Sequence, residues 1–141
     1  MTPRKIYLVG SLRNPAISEC ATKLRAAGHS VFDDWYAAGE KADDAWRDYE
    51  KARGRTYREA LRGHAAEHVF AFDIRHLYDA DTVVLLLPAG KSGHMEIAWA
   101  AGKGKHTHIV LDQDYDRWDV MYKFVDEVWD SVDDLIAGLG S

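Results

Sequence analysis

The sequence contains a single cysteine, Cys20, among its 141 residues. A disulfide within the chain and a zinc site built from cysteines are therefore both excluded. Long apolar runs are also missing, because the longest one, Val83 to Leu87, is far too short to cross a bilayer. The first residues lead into a predicted strand without the apolar stretch of a signal peptide. We expect a soluble cytoplasmic protein that has no membrane partner.

An excess of positive charge is missing as well. The formal net charge is −5, which argues against a nucleic-acid polymer as the partner, because phosphate backbones require a basic face. The charge still leaves room for a local basic pocket that binds one small anion. Apolar residues make up 47% of the chain, which is typical of a globular protein. The length and the absence of repeats or linkers predict one domain over residues 1–141.

Short apolar runs alternate with helical patterns along the chain. Strands are predicted at residues 6–9, 30–32, 82–87 and 107–111. Helices are predicted from an N-cap at Asn14 to Gly28, over 33–72 with a break near Gly54 or Gly63, and over 73–79, 94–102, 121–129 and 132–139. This alternation predicts one α/β domain with a parallel sheet of four or five strands.

Two glycine-containing loops form the predicted ligand site. One is Gly10-Ser11-Leu12-Arg13-Asn14 after the first strand, and the other is Gly90-Lys91-Ser92-Gly93-His94-Met95-Glu96 after the third. Ligands of open parallel sheets bind beyond the carboxyl ends of the strands. Both loops lead into helices, whose first N–H groups favour an anion. Neither loop matches the fingerprint of a nucleoside triphosphatase or of a dinucleotide-binding enzyme.

Glu96 has two interpretations. The predicted helix places it in the first turn, where a carboxylate stabilises the helix by roughly 0.3–1 kcal/mol through the dipole. A capping box is excluded, because Gly93 stands three residues earlier instead of Ser or Thr. The same N–H dipoles would hold the carboxylate ionised, as a nucleophile requires. The pattern alone leaves both interpretations open.

Three segments together resemble the nucleoside 2-deoxyribosyltransferase family. Tyr7-Leu8-Val9-Gly10-Ser11-Leu12-Arg13 resembles its opening strand and loop. Asp73, followed by Asp79-Ala80-Asp81 and the strand Thr82 to Leu87, resembles its second motif. Ser92-Gly93-His94-Met95-Glu96-Ile97-Ala98-Trp99-Ala100, followed by Gly102-Lys103-Gly104-Lys105, resembles the third. The order and spacing match over roughly residues 5–111.

The resemblance implies a flavodoxin-like three-layer fold, a homodimer or larger homo-oligomer, and no metal or organic cofactor. It implies that Glu96 attacks the anomeric carbon, that Tyr7 orients Glu96 through its hydroxyl, and that Asp73 binds the nucleobase or moves a proton onto it. The expected reaction in nucleotide metabolism transfers a deoxyribosyl group between nucleobases, or to water, through a covalent glycosyl-Glu96 intermediate. This is the logic of retaining glycosidases.

The opening loop also resembles one branch of the family, which hydrolyses nucleoside 5′-monophosphates and holds the phosphate at this position. Ser11, Arg13 and Ser92 are the candidates for phosphate binding, and the predicted substrate-binding residues further include Gly10, Gly90, Gly93 and His94. Their structural alternatives are a turn residue, a solvated charge and a helix N-cap, respectively, for the three side chains.

Two positions depart from the family pattern. Gly90 stands where an aspartate or a serine is usual, and His94 stands where a small residue is usual. His94 either takes an acid/base role or shapes the pocket. The change at Gly90 leaves open a third reading, a nucleotide-binding module that has lost catalysis.

Other patterns favour structural roles. His64-Ala65-Ala66-Glu67-His68 fits the HxxEH pattern of zinc peptidases, but the chain is too short for that framework, so a polar helix face is favoured. Five aromatics could stack on a nucleobase, of which one or two at most are expected to do so: Trp35, Tyr36, Trp46, Tyr49 and Tyr57. Trp118, Tyr122 and Trp129 are predicted in the core or an interface, and His106 and His108 at an edge or on the surface.

Overall fold

A computed structural model describes residues 2–140. Five parallel strands form one sheet in the order β2-β1-β3-β4-β5. They are β1 (Lys5–Val9), β2 (Ser30–Phe32), β3 (Thr82–Leu86), β4 (His106–Val110) and β5 (Glu127–Trp129). This strand order is that of flavodoxin-like folds. The predicted parallel sheet of four or five strands is confirmed.

Six α-helices are found in the described part of the chain. They are α1 (Ile17–Ala26), α2 (Ala42–Ala52), α3 (Tyr57–Ala60), α4 (His64–Asp79), α5 (Lys91–Gly102) and α6 (Val132–Leu139). Helices α1 and α6 pack on one face of the sheet, and α4 and α5 pack on the other. The result is the three-layer arrangement that buries both faces of a parallel sheet. Within residues 2–140 we find no helix long and apolar enough to cross a membrane.

Strand β1 divides its side chains between the two layers. Ile6 and Leu8 join the core beneath α1 and α6, whereas Tyr7 and Val9 join the core beneath α4 and α5. This is the ordinary alternation of a strand, in which successive side chains point to opposite faces. The phenol of Tyr7 is thereby placed between the sheet and the two helices that carry Asp73 and Glu96.

The segment between β2 and β3 differs from the prediction. A 3₁₀ turn (Asp34–Ala38), α2 and α3 replace the long helix expected over residues 33–72. Breaks lie at both predicted glycines: Gly54 has a φ of +76°, and Gly63 is the N-cap residue of α4. The short helix expected from Asp73 is instead the second half of α4, because no helix-breaking residue separates the two parts.

Two helix starts were predicted wrongly. Helix α1 begins at Ile17 and not directly after Asn14, whose side-chain oxygen accepts a hydrogen bond from the Ala16 N–H at 3.0 Å and so closes a turn ahead of the helix. Helix α5 begins at Lys91 after the N-cap residue Gly90, three residues earlier than predicted. Ser92 is therefore inside the helix and is not its N-cap.

Residues 121–129 were predicted as a helix, which is also wrong. A 3₁₀ turn (Val120–Phe124) precedes β5, which pairs with β4 in parallel register, Val110 opposite Trp129. Over so short a stretch the apolar spacing fits both the helical period and the strand period, and pairing with β4 makes the last three residues a strand. This pairing makes β4 an interior strand. His108 is consequently 9% exposed and accepts a hydrogen bond from Trp129 Nε1 at 3.1 Å, against the surface position predicted.

Trp129 also packs against α6, and this contact gives a prediction for Gly138→Ala. A Cβ at Gly138 would lie 2.2 Å from Cη2 of Trp129 and 2.4 Å from its Cζ2. The indole is rigid and its Nε1 is tied to His108. Alanine gains up to about 1 kcal/mol in helix propensity, but overpacking costs about 1–3 kcal/mol. We expect a net loss of about 1–2 kcal/mol in the free energy of unfolding, measured by urea denaturation.

Gly102→Ala is the matched control for this substitution. Gly102 is the last residue of α5, and nothing lies within 4 Å of a Cβ built there. Its replacement is expected to leave the urea midpoint unchanged or slightly raised. Equal midpoints for the two variants would show that α6 shifts away from Trp129 at no cost.

Candidate active site

The strand order reverses between β1 and β3, which is where flavodoxin-like sheets open a crevice for ligands. The two predicted loops follow these two strands and therefore flank that crevice. Gly93 in α5 would place a Cβ 3.0 Å from Val9 Cγ1 and 2.9 Å from Leu85 Cδ1. A Cβ on Gly10 would lie 2.5 Å from Ile17 Cδ1. Both glycines thus allow helices to approach the sheet closely at the crevice.

Three of the predicted residues form one group beside this crevice. Glu96 lies in the second turn of α5, Asp73 lies in the middle of α4, and Tyr7 lies in β1 between them. The Tyr7 side chain is 1% exposed, and the two carboxyl residues are half-buried. A hydrogen bond joins the Tyr7 hydroxyl to the Glu96 carboxyl, and both carboxyl groups are close enough to act on the phenol electrostatically.

The carboxyl of Glu96 is harder to ionise than an ordinary glutamate. Burial raises its pKa to about 7, the hydrogen bond from Tyr7 opposes that rise, and the negative charge of Asp73 adds to it. The expectation that helix N–H dipoles hold it ionised is wrong, because the earlier start of α5 moves Glu96 out of the first turn. The same change removes the dipole interpretation of Glu96.

The neighbours of Glu96 also have raised pKa values. Burial, and then the nearby charges of Glu96 and Asp73, raise the pKa of Tyr7 far above its ordinary range. Tyr7 is therefore a hydrogen-bond donor at any physiological pH. Burial also raises the pKa of Asp73, and the positive charge of His76 opposes that rise. The group combines a carboxyl that titrates near neutrality, a permanent donor and a second carboxyl that retains its proton more readily than usual.

Aromatic rings pack against Tyr7 on the side of β2 and α4. The Phe32 ring stacks on Tyr7 with centroids 5.1 Å apart and on His76 with centroids 4.0 Å apart, and Phe72 meets the edge of His76 at 4.9 Å. Sequence reasoning missed Phe32 and His76. The register that pairs Phe32 with Tyr7 is seen only in the structure, and the one signal in the sequence is that His76 follows Asp73 by three residues on one helix.

The loop after β1 presents an exposed cation. Arg13 has a side chain that is 71% exposed, and its guanidinium lies 3.9 Å from Asp44 on α2. An ion pair of this length and exposure contributes little to stability. Ser11 faces its own loop, where its hydroxyl accepts a hydrogen bond from the Arg13 N–H at 3.1 Å. The guanidinium is therefore available to an anion that enters the crevice.

His94 is tied at both ring nitrogens. Its Nδ1 lies 2.7 Å from the carbonyl oxygen of Gly90, and its Nε2 lies 2.8 Å from the hydroxyl of Tyr122. Tyr122, predicted in the core or an interface, is partly buried against the core beneath α4 and α5, and its hydroxyl contacts the start of α5. Gly90 itself has open space around it, with nothing within 4 Å of a Cβ built there. Ser92 is exposed on the first turn of α5.

Of the five aromatic residues proposed as stacking partners, Trp35, Tyr36 and Trp46 make contacts within the protein, whereas Tyr49 and Tyr57 are more than half exposed. Trp35 Nε1 donates to the carbonyl of Leu8 at 2.8 Å, and the Tyr36 hydroxyl donates to the carbonyl of Asn14 at 2.8 Å. Trp46 packs against the edge of Tyr57 with centroids 6.1 Å apart. Trp118, predicted in the core or an interface, is 91% exposed.

The HxxEH segment lies at the start of α4. His64 and His68 are exposed there, as is Glu67 between them. Over residues 2–140 we find no group of three or more His, Cys, Asp or Glu side chains arranged to hold a metal ion.

Solved structures with the same fold include enzymes and a protein of unstated function. A 2-deoxyribosyltransferase from Bacillus psychrosaccharolyticus has a TM-score of 0.62 and 16% identity, covering 93% of this chain and 89% of that one. A conserved protein from Enterococcus faecalis has a TM-score of 0.66 and 16% identity, over 99% and 98% of the two chains. A CMP N-glycosidase, BcmB, from Clostridium botulinum has a TM-score of 0.57 and 12% identity, over 96% and 99%. Family models and curated proteins give no match.

The chain has the fold of these proteins. Two of the three are a deoxyribosyltransferase and an N-glycosidase, the two kinds of enzyme that the sequence resembles. The flavodoxin-like fold implied by that resemblance is confirmed.

Proposed function

We propose that this chain cleaves the N-glycosidic bond of a nucleoside or nucleotide, with the Glu96 carboxylate as the nucleophile. One observation carries the proposal: a half-buried carboxyl at the crevice receives a hydrogen bond from a buried tyrosine and has a second carboxyl, Asp73, beside it. Paired carboxyl groups of this kind perform glycosyl transfer with retention. The fold shared with a deoxyribosyltransferase and an N-glycosidase supports the same reaction.

In the first step a Glu96 oxygen forms a bond to C1′ while the bond between C1′ and the base nitrogen breaks. The electron pair of that bond goes to the base, which takes up a proton. Positive charge develops on the sugar in the transition state, and the adjacent carboxylate stabilises it. The hydrogen bond from Tyr7 fixes the orientation of the carboxylate and favours its ionised form.

In the second step an acceptor attacks C1′ and releases the Glu96 carboxylate. The acceptor is either a nitrogen of another nucleobase or a water molecule, and it loses a proton as its bond forms. We assign both proton transfers to Asp73, which gives its proton to the departing base and takes one from the acceptor. Its raised pKa suits this role, since an ordinary aspartate would seldom hold a proton near neutrality.

We further propose that Arg13 and Ser11 bind the 5′-phosphate where the substrate is a nucleotide. Arg13 is a planar, permanently charged group at the crevice, and its pairing with Asp44 is weak enough to be exchanged for a phosphate. The backbone N–H groups at the start of α5, near Ser92 and Gly93, favour the same anion. A nucleoside without phosphate would lack these contacts.

Product analysis tests the proposal. The purified chain is incubated with deoxynucleosides, ribonucleosides and their 5′-monophosphates, with and without a second free nucleobase, and the products are separated by chromatography. We expect free base to be released from at least one of them. A new nucleoside formed only when a second base is present identifies a transferase, whereas free base alone identifies a hydrolase.

Arg13→Gln separates nucleotides from nucleosides in the same assay. Removing the guanidinium is expected to raise KM for a 5′-monophosphate by about 10-fold, the effect of a lost charged hydrogen bond of about 1.5 kcal/mol, and to leave nucleosides unaffected. Lys41→Gln, at an exposed position before α2, is the control. Tight binding of these compounds without any release of base would contradict the proposed reaction and favour a binding module.

A further inference from the structure

We propose that Tyr122 and His94 are positioning residues for Glu96: the Tyr122 hydroxyl selects one tautomer of His94, and that tautomer fixes the start of α5. The inference rests on the proposed role of Glu96 as nucleophile. It assigns a function to Tyr122, which lies far along the chain from the other site residues, and it gives His94 a role other than acid/base catalysis.

The hydrogen bonds of His94 determine its tautomer. The carbonyl oxygen of Gly90, 2.7 Å from Nδ1, accepts from a protonated Nδ1, and the Tyr122 hydroxyl, 2.8 Å from Nε2, donates to an Nε2 that carries a lone pair. The two contacts together favour the Nδ1–H tautomer, and without the Tyr122 donor Nε2 is free to carry the proton instead. The two rings are also stacked, with centroids 5.7 Å apart and planes inclined by 22°.

The hydrogen bond between His94 Nδ1 and the Gly90 carbonyl lies at the start of α5. Gly90 is the N-cap residue, and its carbonyl also accepts the backbone N–H of His94 at 3.3 Å. The Gly90 carbonyl thus accepts hydrogen bonds from both the ring Nδ1 and the backbone N–H of His94. Gly93 seats this turn against Val9 and Leu85 of the sheet. Together these contacts fix the rotation of the first turn of α5, and Glu96 follows two residues after His94.

Tyr122 is anchored well enough to act as a fixed donor. It belongs to the 3₁₀ turn Val120–Phe124, whose start is capped by the Asp119 side chain, which accepts from the Met121 N–H at 2.9 Å. The end of the turn leads to Asp126, which exchanges hydrogen bonds with Thr107 of β4 at 3.0 and 3.1 Å. Burial, followed by the charge of Asp119, raises the pKa of Tyr122, so its hydroxyl keeps its proton.

These contacts leave His94 without a free nitrogen for a substrate. A general acid or base needs a ring nitrogen within reach of the reacting proton. Here one nitrogen faces the helix start and the other faces Tyr122. His94 also precedes Glu96 by two residues, a spacing at which helical side chains do not face each other.

Tyr122→Phe tests the inference, with Tyr115→Phe as the matched control. Phenylalanine keeps the stacked ring and removes only the hydroxyl donor. Tyr115 lies in the same β4–β5 connection, but its hydroxyl donates to Leu111 within that connection at 3.1 Å and does not reach α5. We expect Tyr122→Phe to lower kcat by about 10-fold with a smaller change in KM, as a misaligned nucleophile would. Tyr115→Phe is expected to keep wild-type kcat.

Two further measurements separate positioning from a general loss of stability. ¹⁵N NMR of the histidine ring is expected to show a single Nδ1–H tautomer for His94 in the wild-type chain and a mixture in Tyr122→Phe. In a His94→Ala background, Tyr122→Phe is expected to cause no further loss of kcat, because the two residues act through one contact. Urea midpoints measured alongside identify any variant that has simply unfolded.

The outcomes distinguish this inference from the proposed function. If Glu96→Gln is inactive but Tyr122→Phe has wild-type kcat, or additive losses with His94→Ala, the positioning role is overturned and the nucleophile stands. If neither Glu96→Gln nor Tyr122→Phe changes turnover, the proposed nucleophile itself fails. An unchanged Nδ1–H tautomer in Tyr122→Phe overturns the positioning role whatever the kinetics.

Discussion

Replacing Glu96 with glutamine is expected to lower kcat by at least about 10³-fold. Glutamine has nearly the same shape and can still accept the hydrogen bond from Tyr7, but its amide neither bonds to C1′ nor neutralises the charge that develops on the sugar. Loss of one preorganised electrostatic contact costs about 10²–10³-fold, and loss of a nucleophile costs up to about 10⁶-fold. Both losses occur together here, so this substitution should have the largest effect on activity.

Single-turnover release of free base, followed by chromatography, measures this effect. Mass spectrometry of wild-type chain that is quenched during turnover and digested is expected to show a glycosyl adduct on the peptide that contains Glu96, and Glu96→Gln is expected to show none. Glu40→Gln is the control, since Glu40 is an exposed carboxylate in the connection before α2. Activity of Glu96→Gln within about 10-fold of wild type would exclude Glu96 as the nucleophile.

The sequence was sufficient for most of the architecture because the fold depends on local patterns. The buried strands β1 and β3 are near-continuous apolar runs ended by glycine or proline, and parallel strands require intervening helices. The link between Tyr7 and Glu96 did not follow from period or composition, because it came from the resemblance of the three segments to the family.

The ionisation of Glu96 could not be predicted in this way. It depends on where α5 begins, and moving the start from His94 to Lys91 removes Glu96 from the helix dipole. It depends further on how much of the carboxyl the neighbouring layer covers, which is a property of packing. The expected direction of the pKa was wrong mainly because burial raises the pKa of Glu96, and the boundary error of three residues also removed the helix dipole that was expected to lower it.

Contacts between distant segments were likewise beyond the sequence. Phe32 and His76 meet beside Tyr7 because β2 pairs with β1 and α4 crosses above them. Tyr122 reaches His94 only because the β4–β5 connection folds back over α5. No period or motif encodes such a meeting, and the strand β5 that directs the connection is itself only three residues long.

Glu96→Gln is also expected to stabilise the fold, and by an amount that depends on pH. The folded-state pKa of Glu96 is about 7, against an ordinary value of 4.5. Between these values the folded chain holds a proton that the unfolded chain has released, so the wild-type free energy of unfolding falls as the pH rises through this window. Above about pH 7 Glu96 is ionised in the folded chain as well, and the full cost of this ionisation lowers the free energy of unfolding by at most about 3 kcal/mol. Glutamine does not titrate and avoids it.

Urea unfolding of wild type and Glu96→Gln at pH 4, 5.5 and 8 tests this expectation. The gain in stability for the variant should be near zero at pH 4, intermediate at pH 5.5 and greatest at pH 8, where it reaches at most about 3 kcal/mol. Glu40→Gln should show no comparable pH-dependent gain. A constant difference across the three pH values would mean that Glu96 titrates alike in both states, and the buried carboxyl would then lack the environment on which the proposed nucleophile depends. A gain at high pH together with lost turnover would show that the chain maintains an unfavourable buried charge at the position where the reaction requires it.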